Sequence, residues 1–144
     1  MEFTLSNAIV VDFDSKYSKK ITSIRNAVFT QEQNIDHKID FDGQDITAIH
    51  VLVQKGSNYI ATGRMLSDGH IGRIAVLKEF RGKGIGSKVV IALIEKAKCL
   101  GISRVYLGSQ LHATDFYLKL DFLPYGEQYV EANIEHISME ILLH

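Results

Sequence analysis

Apolar residues recur along this chain with two different periods. In residues 48–55, Ile49, Val51 and Val53 occupy every second position and share one face, which is typical of a β-strand. Beyond residue 84 the apolar period is about four, which predicts an amphipathic helix. The apolar stripe of this helix consists of Ile85, Val89, Leu93 and Ala97. The chain therefore combines strands with helices.

The predicted elements follow one another in an order that defines the fold class. Strands are predicted at residues 8–11, 48–55, 59–66, 71–76, 104–109, 125–131 and 137–143, and helices at residues 17–30, 85–98 and 113–120. The three strands after the first helix are expected to be antiparallel, as are the last two. This order predicts an α/β sandwich around a mixed sheet. The length, 144 residues, fits one domain over residues 1–144.

A polar interval, residues 31–47, follows the first helix. Its acidic side chains are Glu32, Asp36, Asp40, Asp42 and Asp45. A calcium-binding loop that begins at Asp36 would need glycine at its sixth position, where Phe41 stands. Two interpretations remain open. The interval is an ordinary solvated loop, or it attracts a cationic amine and partly covers a substrate.

Composition narrows the class of protein. The chain is 46% hydrophobic and 23% charged with a net charge of −1, which indicates neither disorder nor a nucleic-acid surface. The longest apolar run, residues 89–94, is too short to span a membrane, and no secretory signal is evident. We therefore expect a cytoplasmic protein with no nucleic-acid or membrane partner.

Two further residue types restrict the chemistry. The single cysteine, Cys99, excludes an intramolecular disulfide, and its place at the end of a helix favours a packing role over a nucleophilic one. Four of the histidines outside the acidic interval lack the close spacing of a zinc site, so no metal is predicted. These histidines are His50, His70, His112 and His136.

A glycine-rich turn links the apolar strand at residues 74–76 to the amphipathic helix. Its sequence is Arg81-Gly82-Lys83-Gly84-Ile85-Gly86. Glycines let several backbone N–H groups converge with the positive end of the helix, which suits phosphate groups. Leu77 replaces the first glycine of a Walker A loop, and the third glycine of a dinucleotide fingerprint comes one position early. The turn therefore predicts a polyanion ligand of another kind.

The turn and a second segment together resemble a known family. Arg81, Gly84 and Gly86 follow the pattern Arg/Gln-x-x-Gly-x-Gly, which resembles the acetyl-coenzyme A pyrophosphate loop of GNAT N-acetyltransferases. Residues 113–122 resemble the segment Ala-x-x-Phe-Tyr-x-x-x-Gly-Phe of that family. Asp121 stands where glycine is usual, so we expect this aspartate to adopt a left-handed conformation. The resemblance implies an α/β (α+β) fold with a mixed, largely antiparallel twisted sheet flanked by helices.

A narrower resemblance is to the small bacterial ElaA-like branch of that family. It rests on residues 24–33, 48–50 and 131–139. Asn133 and Glu135 stand where glycine and proline are expected, which predicts a different loop there.

The resemblance implies acetyl-CoA as co-substrate. The residues that it places at this ligand are Ile74, Ala75, Val76, Arg81, Gly82, Lys83, Gly84, Ile85, Gly86, Ser87, Gln110 and Tyr117. A splayed strand end near residues 74–76 would polarise the thioester carbonyl through a backbone N–H and pair with pantetheine.

The resemblance also suggests catalytic residues. Tyr117 would protonate the leaving thiolate, because a phenol stays protonated at neutral pH; the alternative is a core tyrosine. His70 occupies a position that carries a base in some members, although an exposed turn histidine is an alternative interpretation. The competing candidates for the base are Glu32, His50 and His136, of which His50 has the spacing of a hydrogen-bonded strand residue.

The implied function is acetyl transfer to a primary amine of a small molecule or peptide, by direct attack in a ternary complex. The alternative is a non-catalytic module of the same fold that binds or senses acyl-CoA. A homodimer is compatible with either function.

Overall fold

A computed structural model of the chain describes residues 6–143. Its strands are β1 Ser6–Val11, β2 Ile49–Lys55, β3 Asn58–Met65, β4 Ile71–Val76, β5 Arg104–Gln110, β6 Leu123–Glu131 and β7 Ile134–Leu142. Its α-helices are α1 Ser18–Arg25, α2 His37–Asp40, α3 Ile85–Cys99 and α4 Thr114–Leu118. A π-helix, Asn26–Glu32, continues α1, and two short 3-10 turns, Lys78–Phe80 and Leu111–Ala113, precede the glycine-rich turn and α4.

The strands form two antiparallel sheets that meet between β4 and β5. Strands β1 to β4 pair in chain order, and the second sheet has the order β5-β7-β6. A parallel bridge joins His70, just before β4, to Tyr106 of β5, and the Tyr106 N–H donates to the Gly69 carbonyl at 3.1 Å. Within residues 6–143 the two strands form no further ladder, so a cleft opens between them. The predicted mixed, largely antiparallel sheet is confirmed.

Helices cover both faces of the four-stranded sheet. The apolar stripe of α3 is buried against Val51 and Val53 of β2, while Leu52 of the same strand packs with Ile21 and Ile24 of α1. The period-two pattern of β2 therefore serves two cores, because successive side chains leave opposite faces of a sheet.

The first helix differs from its prediction. An uninterrupted helix over residues 17–30 was expected, but α1 ends at Arg25 and a π-helix continues to Glu32. At the end of the π-helix, the Gln33 N–H donates to the carbonyl of Val28, five residues earlier, at 3.1 Å. The apolar pattern of the sequence could not predict the change from α-helix to π-helix, since Val28 and Phe29 stay buried in the π-helix.

The structure departs from the interpretation of the acidic interval as an ordinary solvated loop at two of its side chains. Asp40 and Asp45 are buried, because three arginines that are distant in sequence bond to the acidic interval. Arg25 Nη1 lies 2.6 Å from Asp45 Oδ1, and Arg64 Nη1 lies 2.8 Å from Asp42 Oδ1. The ion pairs are Arg25–Asp40, Arg25–Asp45, Arg64–Asp42, Arg64–Asp45, Arg73–Asp40 and Arg73–Asp42. We call these six residues the arginine–aspartate cluster.

Local predictions were also made for Asp121, for the loop near Asn133 and for Cys99. Asp121 adopts a φ of 74°, as its replacement of glycine predicted. A tight turn joins β6 to β7, in which Ala132 and Asn133 have φ values of 52° and 63°, and a loop that differs from that of the ElaA-like branch stays a prediction. The packing role for Cys99 is wrong, because this side chain is exposed at the end of α3. The part of the chain that the structure describes contains no helix able to span a membrane.

Candidate active site

The cleft between β4 and β5 has a volume of about 1080 Å³ and brings together most of the predicted site residues. The predicted residues that line it are Glu32, His70, Ile74, Val76, Arg81, Gly82, Gly84, Ile85, Gly86, Ser87, Gln110, Tyr117 and His136. Three predicted residues do not. Ala75 is buried in the core beneath α1, Lys83 is exposed on the glycine-rich turn, and His50 lies in the arginine–aspartate cluster.

The glycine-rich turn has the geometry of an anion cradle. Gly82 and Gly84 both have a φ of 77°, and among residues 6–143 no heavy atom beyond their chain neighbours lies within 4 Å of the Cβ that either could carry. Gly84 caps α3, and the first bond within that helix runs from the Lys88 N–H to the Gly84 carbonyl at 3.3 Å. The N–H groups before Lys88 thus lack intrahelical acceptors. These residues fit the diphosphate of coenzyme A.

Arg81 links the glycine-rich turn to the end of the π-helix. Its two terminal nitrogens each donate to Glu32 at 2.6 Å, and its Nε donates to the Val76 carbonyl at 2.9 Å. The hydrogen bonds from Arg81 lower the pKa of Glu32. A carboxylate that is ionised and paired in this way is a weak base, so the pairing disfavours Glu32 as the proton acceptor.

Tyr117 is both a buried aromatic residue and part of the cleft wall. Its ring makes edge contacts with Phe116 and Phe122, with centroids 4.9 and 5.6 Å apart. Burial raises the pKa of Tyr117 to about 12. The phenol therefore keeps its proton at neutral pH and is able to donate it.

His70 lies at the closed end of the cleft, where β4 and β5 meet. Its ring stacks on Tyr106 with centroids 4.6 Å apart, and Asp68 accepts hydrogen bonds from the backbone N–H of His70 and from the Tyr106 hydroxyl. Burial lowers the pKa of His70, so the ring is neutral at pH 7. The interpretation as an exposed turn histidine is wrong, because this side chain is half-buried.

His136 lies on β7 opposite Gln110 of β5, away from the strand bridge. Its Nδ1 is 2.7 Å from the Ile134 carbonyl, so Nδ1–H donates and the lone pair resides on Nε2. The ring stacks on Tyr129 with centroids 5.5 Å apart. His136 is thus a buried histidine with a fixed tautomer in the cleft wall.

His50 has a structural environment. Its Nε2–H donates to the Asp45 carbonyl at 2.8 Å, and burial lowers its pKa. The strand-histidine interpretation is confirmed. No described cluster of three His, Cys, Asp or Glu residues has the arrangement of a metal site.

Comparison with known proteins identifies the family. Residues 16–143 match the acetyltransferase (GNAT) domain. The chain belongs to the GNAT family. It is 34% identical over 128 residues to the protein ElaA of Escherichia coli K12, with 83% of each protein covered. GNAT membership and the ElaA likeness support acyl-CoA-dependent acetyl transfer.

Solved GNAT structures agree in fold. The E. coli ElaA crystal structure superposes with a TM-score of 0.84 at 30% identity, and covers 93% of this chain and 98% of that one. An acyl-CoA N-acyltransferase from Pseudomonas aeruginosa gives a TM-score of 0.85 at 25% identity, covering 94% and 99%.

Several residues of the GNAT cleft escaped the sequence analysis. Gln33 accepts a hydrogen bond from Gln110 at 3.2 Å, which joins the π-helix end to β5. Arg73 adopts a φ of 53° inside β4 and lines the cleft. Tyr129 occupies the space left by Gly108, where a Cβ would overlap its hydroxyl. Only the glycine in β5 was a usable signal, because an isolated strand glycine often marks a close approach.

Proposed function

We propose that this chain is an acetyl-CoA-dependent N-acetyltransferase that acylates a primary amine of a small molecule or peptide. The observation that carries the proposal is the cleft itself. One end holds an open glycine cradle, and the same cleft is lined by a protonated phenol, Tyr117, and by histidines that include His70 and His136. Anion binding, proton donation and proton acceptance are the functions that acetyl transfer from a thioester to an amine requires.

Backbone groups would do most of the co-substrate binding. The turn at Gly82 and Gly84 and the first turn of α3 would hold the diphosphate. β4 lacks a full partner on its cleft side, so its backbone near residues 74–76 can pair with pantetheine and donate to the thioester carbonyl oxygen. The described residues proposed for these contacts are Ile74, Ala75, Val76, Arg81, Gly82, Gly84, Ile85, Gly86, Ser87 and Gln110, with the exposed Lys83 at the rim.

The reaction would proceed by direct attack. The neutral amine nitrogen adds to the thioester carbonyl carbon, and the carbon–sulfur bond breaks as the amide forms. The amine proton passes to a histidine, and the Tyr117 hydroxyl protonates the departing thiolate. A ternary complex suits this cleft, because the described residues that line it include no cysteine to carry an acyl intermediate.

Of the three histidines among the described residues that line the cleft, His112 is exposed, and the two that are buried or half-buried are the candidates for the proton acceptor. The hydrogen bond from His136 Nδ1–H to the Ile134 carbonyl places the lone pair of the ring on Nε2. His136 lies away from the His70–Tyr106 bridge, which closes the other end of the cleft. His70 is neutral but stacked within the closed end. We therefore place His136 first and His70 second, ahead of the paired Glu32.

Ligand-dependent melting and thiol release test the proposal together. Saturation at one hundred times the dissociation constant should stabilise the fold by about 2.7 kcal/mol. Acetyl-CoA should raise the melting temperature where ATP and NAD do not, and amines should then accelerate thiol release from acetyl-CoA. No shift with acetyl-CoA, or an equal shift with ATP, contradicts the co-substrate assignment. Binding without thiol release across an amine panel favours the non-catalytic acyl-CoA-binding module.

A further inference from the structure

Apolar side chains are exposed at the cleft wall on two separate elements. Ile39 of α2 is 47% exposed and Val130 of β6 is 66% exposed, and both line the cleft. Ile35 and Ile134, which are partly exposed, line it beside them. Exposed apolar groups inside a functional cleft mark a place where an apolar ligand surface can be buried.

The backbone that presents Ile39 is firmly held. Arg73 Nη2 donates to the Ile39 carbonyl at 3.1 Å, and Arg73 Nε donates to the Asp40 carbonyl at 3.0 Å. Arg25 Nη2 donates to the same Asp40 carbonyl at 2.6 Å. The exposure of Ile39 therefore does not come from a loose loop, since two buried or half-buried arginines fix the end of α2.

Val130 is presented by a paired strand. Its register partner is Glu135 on β7, and Glu131 pairs with Ile134 across the tight turn. The neighbouring cleft wall is aromatic, because Tyr129 and His136 stack there. An apolar body could thus lie against Val130 and this stacked pair.

The acidic interval offers little charge to a cationic substrate. Asp40, Asp42 and Asp45 are all bonded to arginines within the arginine–aspartate cluster. The carboxylates among the described lining residues are Glu32, Asp40 and Glu131, and the basic residues are Arg73, Arg81 and Lys119. Glu32 is paired with Arg81, so Glu131 is the carboxylate left for a cation. This balance does not suit a polycation.

We infer that the acceptor is a primary amine on an apolar body, and that Ile39 and Val130 determine this specificity. This inference rests on the proposed function and names its substrate class. A second ammonium group on the acceptor would lie against the apolar side chains of Ile39 and Val130, where a charge loses hydration, and the exposed Glu131 would compensate it only weakly, since surface ion pairs contribute little.

A matched pair of amines tests the substrate class. Hexylamine and 1,6-diaminohexane share a six-carbon chain and differ only in the ammonium group that the diamine carries on its far terminal carbon. We expect kcat/KM for acetylation to be at least about 10-fold higher for hexylamine, because apolar pocket contacts commonly discriminate by this factor. Propylamine, which lacks the outer half of the apolar chain, should also be poorer than hexylamine.

Three substitutions test the assigned residues. Ile39→Ser and Val130→Ser should each lower kcat/KM for hexylamine by about 10-fold and change that for propylamine less. Ile91→Ser is the matched control, because Ile91 on α3 is also 47% exposed and does not line the cleft. Ile91→Ser should leave kcat/KM unchanged for both hexylamine and propylamine. Equal melting temperatures of the three variants would show that the fold is intact.

The outcomes separate the inference from the proposed function. Equal or better use of 1,6-diaminohexane overturns the inference while acetyl transfer stands. It is also overturned if Ile39→Ser and Val130→Ser both behave like Ile91→Ser. Calorimetric titration of hexylamine into CoA-saturated protein provides a readout without catalysis. One result would contradict the proposed enzyme and still support the apolar amine site: hexylamine binds, Ile39→Ser weakens that binding, and no amine causes thiol release.

Discussion

Tyr117 shows how one residue can satisfy two interpretations. Its edge contacts with Phe116 and Phe122 make it the core tyrosine that helical spacing permits. The same burial raises the pKa of Tyr117 to about 12, which preserves the proton that an acid must donate. Burial thus keeps the phenol protonated at neutral pH, although the higher pKa also makes it a weaker acid, so proton donation needs its own test.

Removing only the Tyr117 hydroxyl should slow the chemical step. Tyr117→Phe keeps the ring and its aromatic contacts, so acetyl-CoA affinity should change little. General acid catalysis typically contributes about 10²- to 10⁴-fold, and kcat should fall by that order. Single-turnover rates should fall equally, which excludes slow product release as the cause. An unchanged single-turnover rate would leave Tyr117 with its packing role alone.

His136 and His70 can be separated by substitution and by pH. His136→Gln should lower kcat/KM at pH 7 by about 10²-fold or more, and His70→Gln should lower it less. Burial lowers the pKa of His70, so a His70 base would stay neutral to a pH below 6.5, and the acidic limb of kcat/KM would have its midpoint there. If that limb disappears in His70→Gln and persists in His136→Gln, the assignment must be reversed.

At the scale of elements, the glycine-rich turn predicts a sharp pair of variants. Gly84→Asp places a side chain and a negative charge in the open cradle, so coenzyme A affinity should fall by at least about 100-fold. Gly101→Asp is the matched control, since Gly101 has a φ of 73° and equally open surroundings at the other end of α3. Both variants carry similar backbone strain and should melt alike. If calorimetry shows equal coenzyme A affinity for the two variants, the diphosphate binds at another place than the glycine-rich turn.

The elements that could be predicted are those whose signals are local. Alternation predicted β2 and β3, four-residue periodicity predicted α3, and the lone aspartate at a glycine position predicted the left-handed Asp121. The π-helix and the four-residue α2 escaped, because neither changes the apolar period over a useful length. The left-handed Arg73 escaped too, since its conformation depends on partners 31 to 34 residues away.

At the scale of the whole molecule, the arginine–aspartate cluster joins α1, the acidic interval, β3 and β4. Breaking one partner of a buried pair is costly because it leaves an uncompensated charge. The cluster therefore holds the end of α2 against the cleft, and site geometry depends on residues that never touch a substrate. Sequence shows the three arginines and three aspartates but not their pairing, which only the folded chain creates.

The same cluster predicts how stability depends on pH. His50 is fully buried and donates to the Asp45 carbonyl, and burial lowers its pKa in the folded state. Burial is the largest influence on the pKa of His50 and outweighs Asp45, which favours protonation, while Arg25 and Arg64 oppose it, so the folded protein favours neutral His50. The stability that neutral His50 contributes is fully present above pH 6.5 and is lost as pH falls through the folded pKa.

Urea unfolding between pH 7 and pH 5 measures this loss. The free energy of unfolding should fall over that interval by about 1.4 kcal/mol for each unit of pKa depression that is titrated. His70 acts in the same direction, and the lowered carboxyl pKa values of Glu32, Asp42 and Asp68 do so only below about pH 4.5. Burial raises the pKa of Asp40, which therefore acts in the opposite direction. His50→Gln, whose amide can also donate to Asp45, should flatten the profile. His37→Gln, at an exposed position, is the control, and its stability profile with pH should match that of the unsubstituted protein. If His50→Gln and His37→Gln give the same profile, His50 does not cause the pH dependence.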